Sequence, residues 1–188
     1  LDNFSFYFQP GILYNLYSSK ICGKTTLFKI LIGQYKIKSG KITGMPKRKF
    51  IMFDSLESNF LFLNLKDELS STSKEFKVDD YKNDFENLGL NFNSIWNIEI
   101  NKLSFKEKKI SLLLIALHNN FKVYVLDSPF DLLEPEHIKL LIKRFYNKVK
   151  QENSYFITFN NLPIASKLID NVDFNILSNK AFQKNIGN

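Results

Sequence analysis

"SSKICGKTTLFKILIG", residues 18–33, places a lysine and two threonines directly ahead of an apolar run. In that run Leu27, Ile30 and Leu31 recur at helical spacing, and Gly33 is set to close the helix. The segment before it, residues 12–17 (ILYNLY), reads as a strand. A strand, a turn and a helix opening on Lys-Thr can cradle phosphate. Backbone N–H groups at the helix start face anionic oxygens, the ammonium adds charge, and a hydroxyl reaches a bound Mg²⁺. Gly23, Lys24 and Thr25 supply the second half of the pattern G-x-x-x-x-G-K-[ST], and Thr26 follows. The first half departs from it. Ser18 stands at the leading glycine, and Ile21, β-branched and resistant to positive φ, holds a place where a second glycine is often used. Ser19, Lys20 and Cys22 complete the expected cradle. Cys22 sits beside a lysine and a helix start, which lower a thiol pKa, but it also simply fills a small-residue slot. The competing reading of this stretch is a lysine at an ordinary helix N-terminus.

Outward from this unit, residues 4–8 (FSFYF) read as an aromatic strand, and Pro10-Gly11 as a turn. After the helix, Ser39-Gly40 is a turn, with short strands expected at residues 41–43 and 50–53. Residues 54–100 are polar and irregular, with helical segments near 65–69 and 80–87. Ser104 then caps a helix over residues 105–117, and KVYVL (122–126) is a buried-type strand ending in Asp127. An amphipathic helix follows at 136–150, a strand at 155–159 and a helix at 162–169. Strands alternating with helices predict an α/β chain with a parallel sheet covered on both faces. No internal repeat, low-complexity segment or linker interrupts it.

At 188 residues the chain is sized for a single domain, and a hydrophobic fraction of 44% supports a packed core. No apolar run reaches the roughly 18–20 residues that cross a bilayer, so a membrane role is expected to run through a partner. The net charge of +7 and pI near 9.3 raise the question of nucleic acid. The lysines are spread among Asn, Ile and Phe along the whole chain, as an AT-rich genome produces, and do not cluster with aromatics. A solvated lysine surface is therefore the expectation, and no nucleic-acid partner. A single cysteine excludes an internal disulfide framework. The chain starts at Leu1, without a methionine or a signal-like segment, so either residues precede it or translation begins at an unusual codon. With the AT-type composition, the second option points to an organelle or an endosymbiont.

Two further motifs join the first. In VYVLDSPFDLLE (123–134), an apolar strand ends in Asp127, the position that holds a Mg²⁺-bound water beside a phosphate loop. In NKLSFKEKKISLLLIAL (101–117), Leu103-Ser104 opens a long apolar helix. Taken in order, GKTTL, the turn SGKITG (39–44), LSFKE, LDSPF and Leu133-Glu134 resemble the ATP-binding subunits of ABC transporters over nearly the full length. That family shows GKTTL, a signature LSGGQ, a strand ending LDEPF, and then LD. The resemblance implies a P-loop NTPase fold of the ABC type over residues 1–188, with a mostly parallel sheet and a small helical subdomain at about 55–118. Within the family, the short interval from Lys24 to Ser104 and the run LNLKDEL (63–69) are most similar to the haem-exporter ATP-binding protein of cytochrome c maturation. Glu107-Lys108-Lys109 resembles the SGGEKKR signature of the iron–sulfur assembly ATPase, which ranks second.

The resemblance implies roles residue by residue. Lys24 would hold β and γ phosphates, Thr25 the Mg²⁺, Thr26 an α-phosphate oxygen, Asp127 the Mg²⁺ shell and Ser104 a partner's nucleotide, with ATP and Mg²⁺ as cofactors. Asp54 would stand at the glutamine that senses Mg²⁺. The departures are equally specific. Ser128 replaces the glutamate that polarises water, Phe159 the switch histidine, and Phe105 and Lys106 the signature glycines, while the base-stacking aromatic would fall ahead of Leu1. Asp131 and Glu134 are the remaining nearby carboxylates. The expectation is a subunit that binds ATP but has impaired or absent hydrolysis. It would be peripheral on the matrix side of the mitochondrial inner membrane, or on the cytoplasmic face of an endosymbiont membrane. Its expected partners are integral membrane subunits and a second nucleotide-binding subunit, as a homo- or heterodimer. The alternatives are a non-catalytic scaffold and an iron–sulfur assembly ATPase.

Overall fold

A computed structural model describes residues 6–17, 23–72 and 77–160. Its organising element is the strand that ends in Asp127. Val123–Asp127 (β3) carries apolar side chains on both faces, with Tyr124 and Leu126 in one core and Val123 and Val125 in another. A strand buried on both faces requires parallel neighbours with covered surfaces. Its neighbours are Lys49–Met52 (β2) on one side and Tyr155–Asn160 (β4) on the other, and Leu13–Tyr17 (β1) pairs with β4. The sheet order is β1-β4-β3-β2, and every pairing is parallel. The smaller core packs Lys24–Leu31 (α1) on one face through Leu27, Phe28 and Leu31.

The opposite face carries the larger core. Its central helix is Phe105–His118 (α5), in which residues 108–117 are all buried. A helix buried all round needs cover on every side. Leu65–Thr72 (α2), Val78–Asn87 (α3) and Phe92–Ile95 (α4) supply it from residues that the chain reaches between β2 and α5. Pro135–Glu152 (α6) supplies the rest, burying Ile138, Leu141, Ile142, Phe145 and Val149 along one stripe. Proline at its first turn and Asn153 at φ 49 past its end are the start and stop expected of such a helix. Among the described residues, no helix is long and apolar enough to cross a membrane.

An ion-pair network ties α3 to the two long helices. The Asp84 carboxylate accepts from Arg144 of α6 at 2.6 Å and lies 2.5 Å from His118 Nε2 of α5. Burial pushes the Asp84 carboxyl up, but hydrogen bonds from His118 and Arg144 outweigh it, so the group lies below its ordinary value. A depressed carboxylate contributes stability above the unfolded pKa, near 4, that is lost as pH falls through the folded value. Asp84→Asn is therefore expected to cost about 2–3 kcal/mol at pH 7 by stranding Arg144, and the gap should close below about pH 4. Urea unfolding across that pH range checks both statements.

Two expected strands do not form among the described residues, which for the first begin at residue 6. Phe6 and Phe8 lie outside any ladder, packed edge-on with the Tyr14 ring at 5.7 and 5.0 Å between centroids. Aromatic packing on β1, and a 2.8 Å bond from Gln9 N–H to the Tyr14 hydroxyl, take the place of strand pairing there. Residues 41–43 are irregular and exposed between Gly40 and Gly44, both at positive φ, with no apolar surface to pair against. The helix expected at 162–169 lies outside the described residues.

Candidate functional site

Parallel strands bring their C-terminal ends to one edge, and the register aligns Tyr17 with Asn160, Phe159 with Asp127, and Leu126 with Met52. That edge is where open α/β sheets bind ligands. Gly23 takes φ 87 and ψ 16 there, a left-handed conformation that a residue with a Cβ resists, and its carbonyl receives the Leu27 N–H at 2.9 Å. The helix start that follows has no side-chain cap and no acidic residue in its first turn. Lys24 is half-buried, and Thr25 and Thr26 are exposed on that turn. An uncapped helix start bearing a lysine and two hydroxyls fits an anion with phosphate oxygens. Ser19, Lys20, Cys22 and their neighbours from 18 to 22 lie outside the described residues.

Asp127, at the end of β3, has its carboxyl pushed up to about 6 by burial and by the charges of Asp54 and Asp131, while Lys24 and Lys109 pull it down. Lys24, at the start of α1, and Asp127, at the end of β3, both stand at the C-terminal edge of the sheet. A carboxylate that resists ionising because of burial first, and acidic neighbours second, is relieved by a cation, which fits Mg²⁺ beside a bound phosphate. Among the described residues, no group of metal-ligating side chains forms a full cage. Mg²⁺ suits such a site because it takes one or two protein ligands and completes its shell with phosphate and water. Thr25 and Asp127 are the residues that would hold it. Asp54 is exposed on the turn after β2, and that turn is braced by Asn59, whose side chain accepts from Phe53 N–H at 2.7 Å and donates to the Phe53 and Ser55 carbonyls.

The positions that would activate water are differently built. Ser128 is buried at φ 49, and its N–H donates to the Phe159 carbonyl at 2.8 Å. Phe159 is 1% exposed and packs edge-on to Phe28 of α1 with centroids 5.6 Å apart. It is a core residue. Neither side chain is a proton acceptor near neutral pH. Glu134, the next carboxylate along the chain from Asp131, is engaged in ion pairs: its carboxylate takes Lys106 at 2.8 Å and His137 at 2.6 Å. The hydrogen bond from Lys106, backed by its own backbone N–H, holds its carboxyl below the ordinary glutamate value, at about 2.

Ser104 caps α5 in a reciprocal box. Its hydroxyl accepts from Glu107 N–H at 3.3 Å, and the Glu107 carboxylate accepts from Ser104 N–H at 2.7 Å. One acceptor site of the hydroxyl is thus committed, and its O–H remains available. Lys109, which the sequence offers only as part of the run Glu107-Lys108-Lys109, carries no expected role at the site. Its ammonium enters the loop after β3 and donates to the Ser128 carbonyl at 2.6 Å and the Asp131 carbonyl at 3.0 Å. A lysine on a helix is ordinarily solvated, so the sequence carries no signal that this one is buried.

A parallel sheet with Gly-Lys-Thr opening a helix at one strand end and a half-buried aspartate at another defines a P-loop nucleotide-binding protein. The ABC transporter family profile matches residues 1–131, and the chain belongs to that family as an ATP-binding subunit. It is similar to the uncharacterized ABC transporter ATP-binding protein YybJ of Bacillus subtilis, at 26% identity over 172 residues, covering 84% of this chain and 77% of that one. Its fold is similar to that of an ABC transporter ATP-binding protein from Pyrococcus furiosus, with TM-score 0.68 and 16% identity over 90% of this chain and 86% of the other. The archaeal ribosome recycling factor aABCE1 matches with TM-score 0.67 and 19% identity over 81% of this chain, which spans only 29% of that protein's length.

Proposed function

We propose that this subunit grips MgATP between the start of α1 and Asp127 and hydrolyses it slowly or not at all. The observation that carries this reading is the paired loss at the water-activating positions. Ser128 is pinned by its backbone, Phe159 is committed to the core, and the nearby Glu134 is held acidic by Lys106. ATP binding uses none of these three side chains. Steady-state turnover of the assembled complex is expected to be roughly 10²–10⁴-fold below that of an ordinary transporter subunit, the contribution of one positioned acid–base group. Turnover at the ordinary level would show that another group takes the proton.

The partner we propose is an integral membrane subunit. Between β2 and α2 the chain exposes Leu61 at 87% and Leu63 at 82%, with Phe62 beside them. These side chains are not on a loose loop. The buried Glu68 carboxylate accepts the N–H groups of Leu61 and Phe62 at 2.8 and 2.9 Å, holding the apolar knuckle outward. A rigid exposed apolar feature of this kind favours a protein partner. Exposed Phe105 and Leu132, at the start of α5 and in the loop after β3, support a second nucleotide-binding subunit.

The finer reading is a haem-export subunit of cytochrome c maturation, on the matrix side of the mitochondrial inner membrane. Residues 63–69 and the short interval between Lys24 and Ser104 support it. Affinity purification from membranes tests it: integral haem-handling proteins should co-elute, and a set of soluble iron–sulfur assembly proteins would replace this reading with the alternative.

A further inference from the structure

Lys109 lies 1% exposed in α5, the most deeply buried helix among the described residues. Its ammonium lies 5.9 Å from the Phe105 ring centroid. Burial lowers its pKa, and the charges of Asp131, Asp54 and Asp127 oppose that only in part. A methionine would fill the same space without any charge to desolvate. A charge kept at that cost calls for a reason beyond packing, and its hydrogen bonds supply one.

The loop after β3 contains two non-glycine residues in the left-handed region, Ser128 at φ 49 and Leu132 at φ 67. L-residues take that conformation only when their surroundings impose it. Ser128 is held from both sides: its N–H donates to the Phe159 carbonyl of β4 at 2.8 Å, and its carbonyl accepts from Lys109 of α5 at 2.6 Å. The second Lys109 bond, to the Asp131 carbonyl at 3.0 Å, fixes the far side of the same turn. Asp127 directly precedes this loop, so the turn sets how its carboxylate faces the mouth.

We propose that Lys109 is a positioning residue: its ammonium clamps the turn after β3 through two carbonyls and so holds Asp127 toward the cation side of the phosphate site. The functional part rests on the MgATP reading above; the clamp itself does not.

The test compares the parent with K109M, with K109Q as a second uncharged variant should K109M fail to fold. Hydrogen exchange on the full chain without nucleotide should show amides in residues 128–133 exchanging roughly tenfold faster or more, while those of α5 and α6 stay parent-like. Affinity for ATP with Mg²⁺ should fall roughly tenfold, and affinity for ATP in EDTA should stay at the parent value. Parent-like exchange across 128–133 would overturn the clamp. Equal losses with and without Mg²⁺ would overturn the link to Asp127. If the parent does not bind MgATP at all, the nucleotide reading has failed, and the exchange result still decides the clamp.

Discussion

Lys24→Ala should lower the affinity for MgATP by about 100-fold or more, because it deletes a charge-assisted contact to phosphate at the helix start. The fold should be unaffected. Lys24 is only half-buried, and the helix it opens is anchored by Leu27, Phe28 and Leu31. Melting curves of the free variant should therefore overlay those of the parent, while the upward shift that the parent shows with excess MgATP should vanish. Isothermal titration gives the affinities directly. A parent that binds MgATP no better than the variant would mean the helix start holds no nucleotide, and the chain would then be read as a scaffold with an empty site.

Asp127→Asn should move stability and function in opposite directions. In the folded chain burial, Asp54 and Asp131 raise the Asp127 carboxyl to about 6 from an ordinary value of 3.8. The folded state therefore binds more protons than the unfolded state between those values, and stability falls as pH rises through that window. With about 1.4 kcal/mol per pKa unit, the charged form costs the ligand-free protein about 3 kcal/mol at most near neutral pH. Asparagine removes that cost. The variant should unfold at higher denaturant than the parent above about pH 6, and the two should converge below about pH 4. The same substitution should abolish the dependence of ATP affinity on Mg²⁺. A variant less stable than the parent at pH 7, or one that still needs Mg²⁺, would remove Asp127 from the cation side. This trade is common where a site is built for a ligand before folding stability.

The parts of the fold visible in the sequence are those whose cause is local. The helix at Lys24–Leu31 follows from three apolar residues at helical spacing, and the cap of α5 from Ser104 with Glu107 three residues on. The strand ending in Asp127 is an unbroken apolar run, and its fate in a parallel sheet follows from that run alone. Residues 6–8 show the limit. Aromatic alternation reads as a strand, yet Phe6 and Phe8 gain more by packing edge-on to Tyr14 than by joining a sheet edge.

At the candidate site, Gly23, Lys24, Thr25 and Asp127 stand out in the sequence because each occupies a strand end or helix start that the sequence already marks. Lys109 could not be weighed, since a lysine on a helix is ordinarily solvated, and only the packing of α5 against the loop after β3 buries it. Phe159 could be named as a replacement from sequence. That it is bound into the core against Phe28, and so cannot turn toward a ligand, needed the sheet and helix in place.

The sequence by itself determined the type of site, because phosphate chemistry demands particular residues at fixed chain spacing, and short spacing survives whatever the rest of the molecule does. The tertiary structure alone decided the charge balance around Asp127 and the hold on the turn beside it. Those depend on groups from β2, α5 and the loop after β3, far apart along the chain, and burial and Coulomb forces act on distance in space.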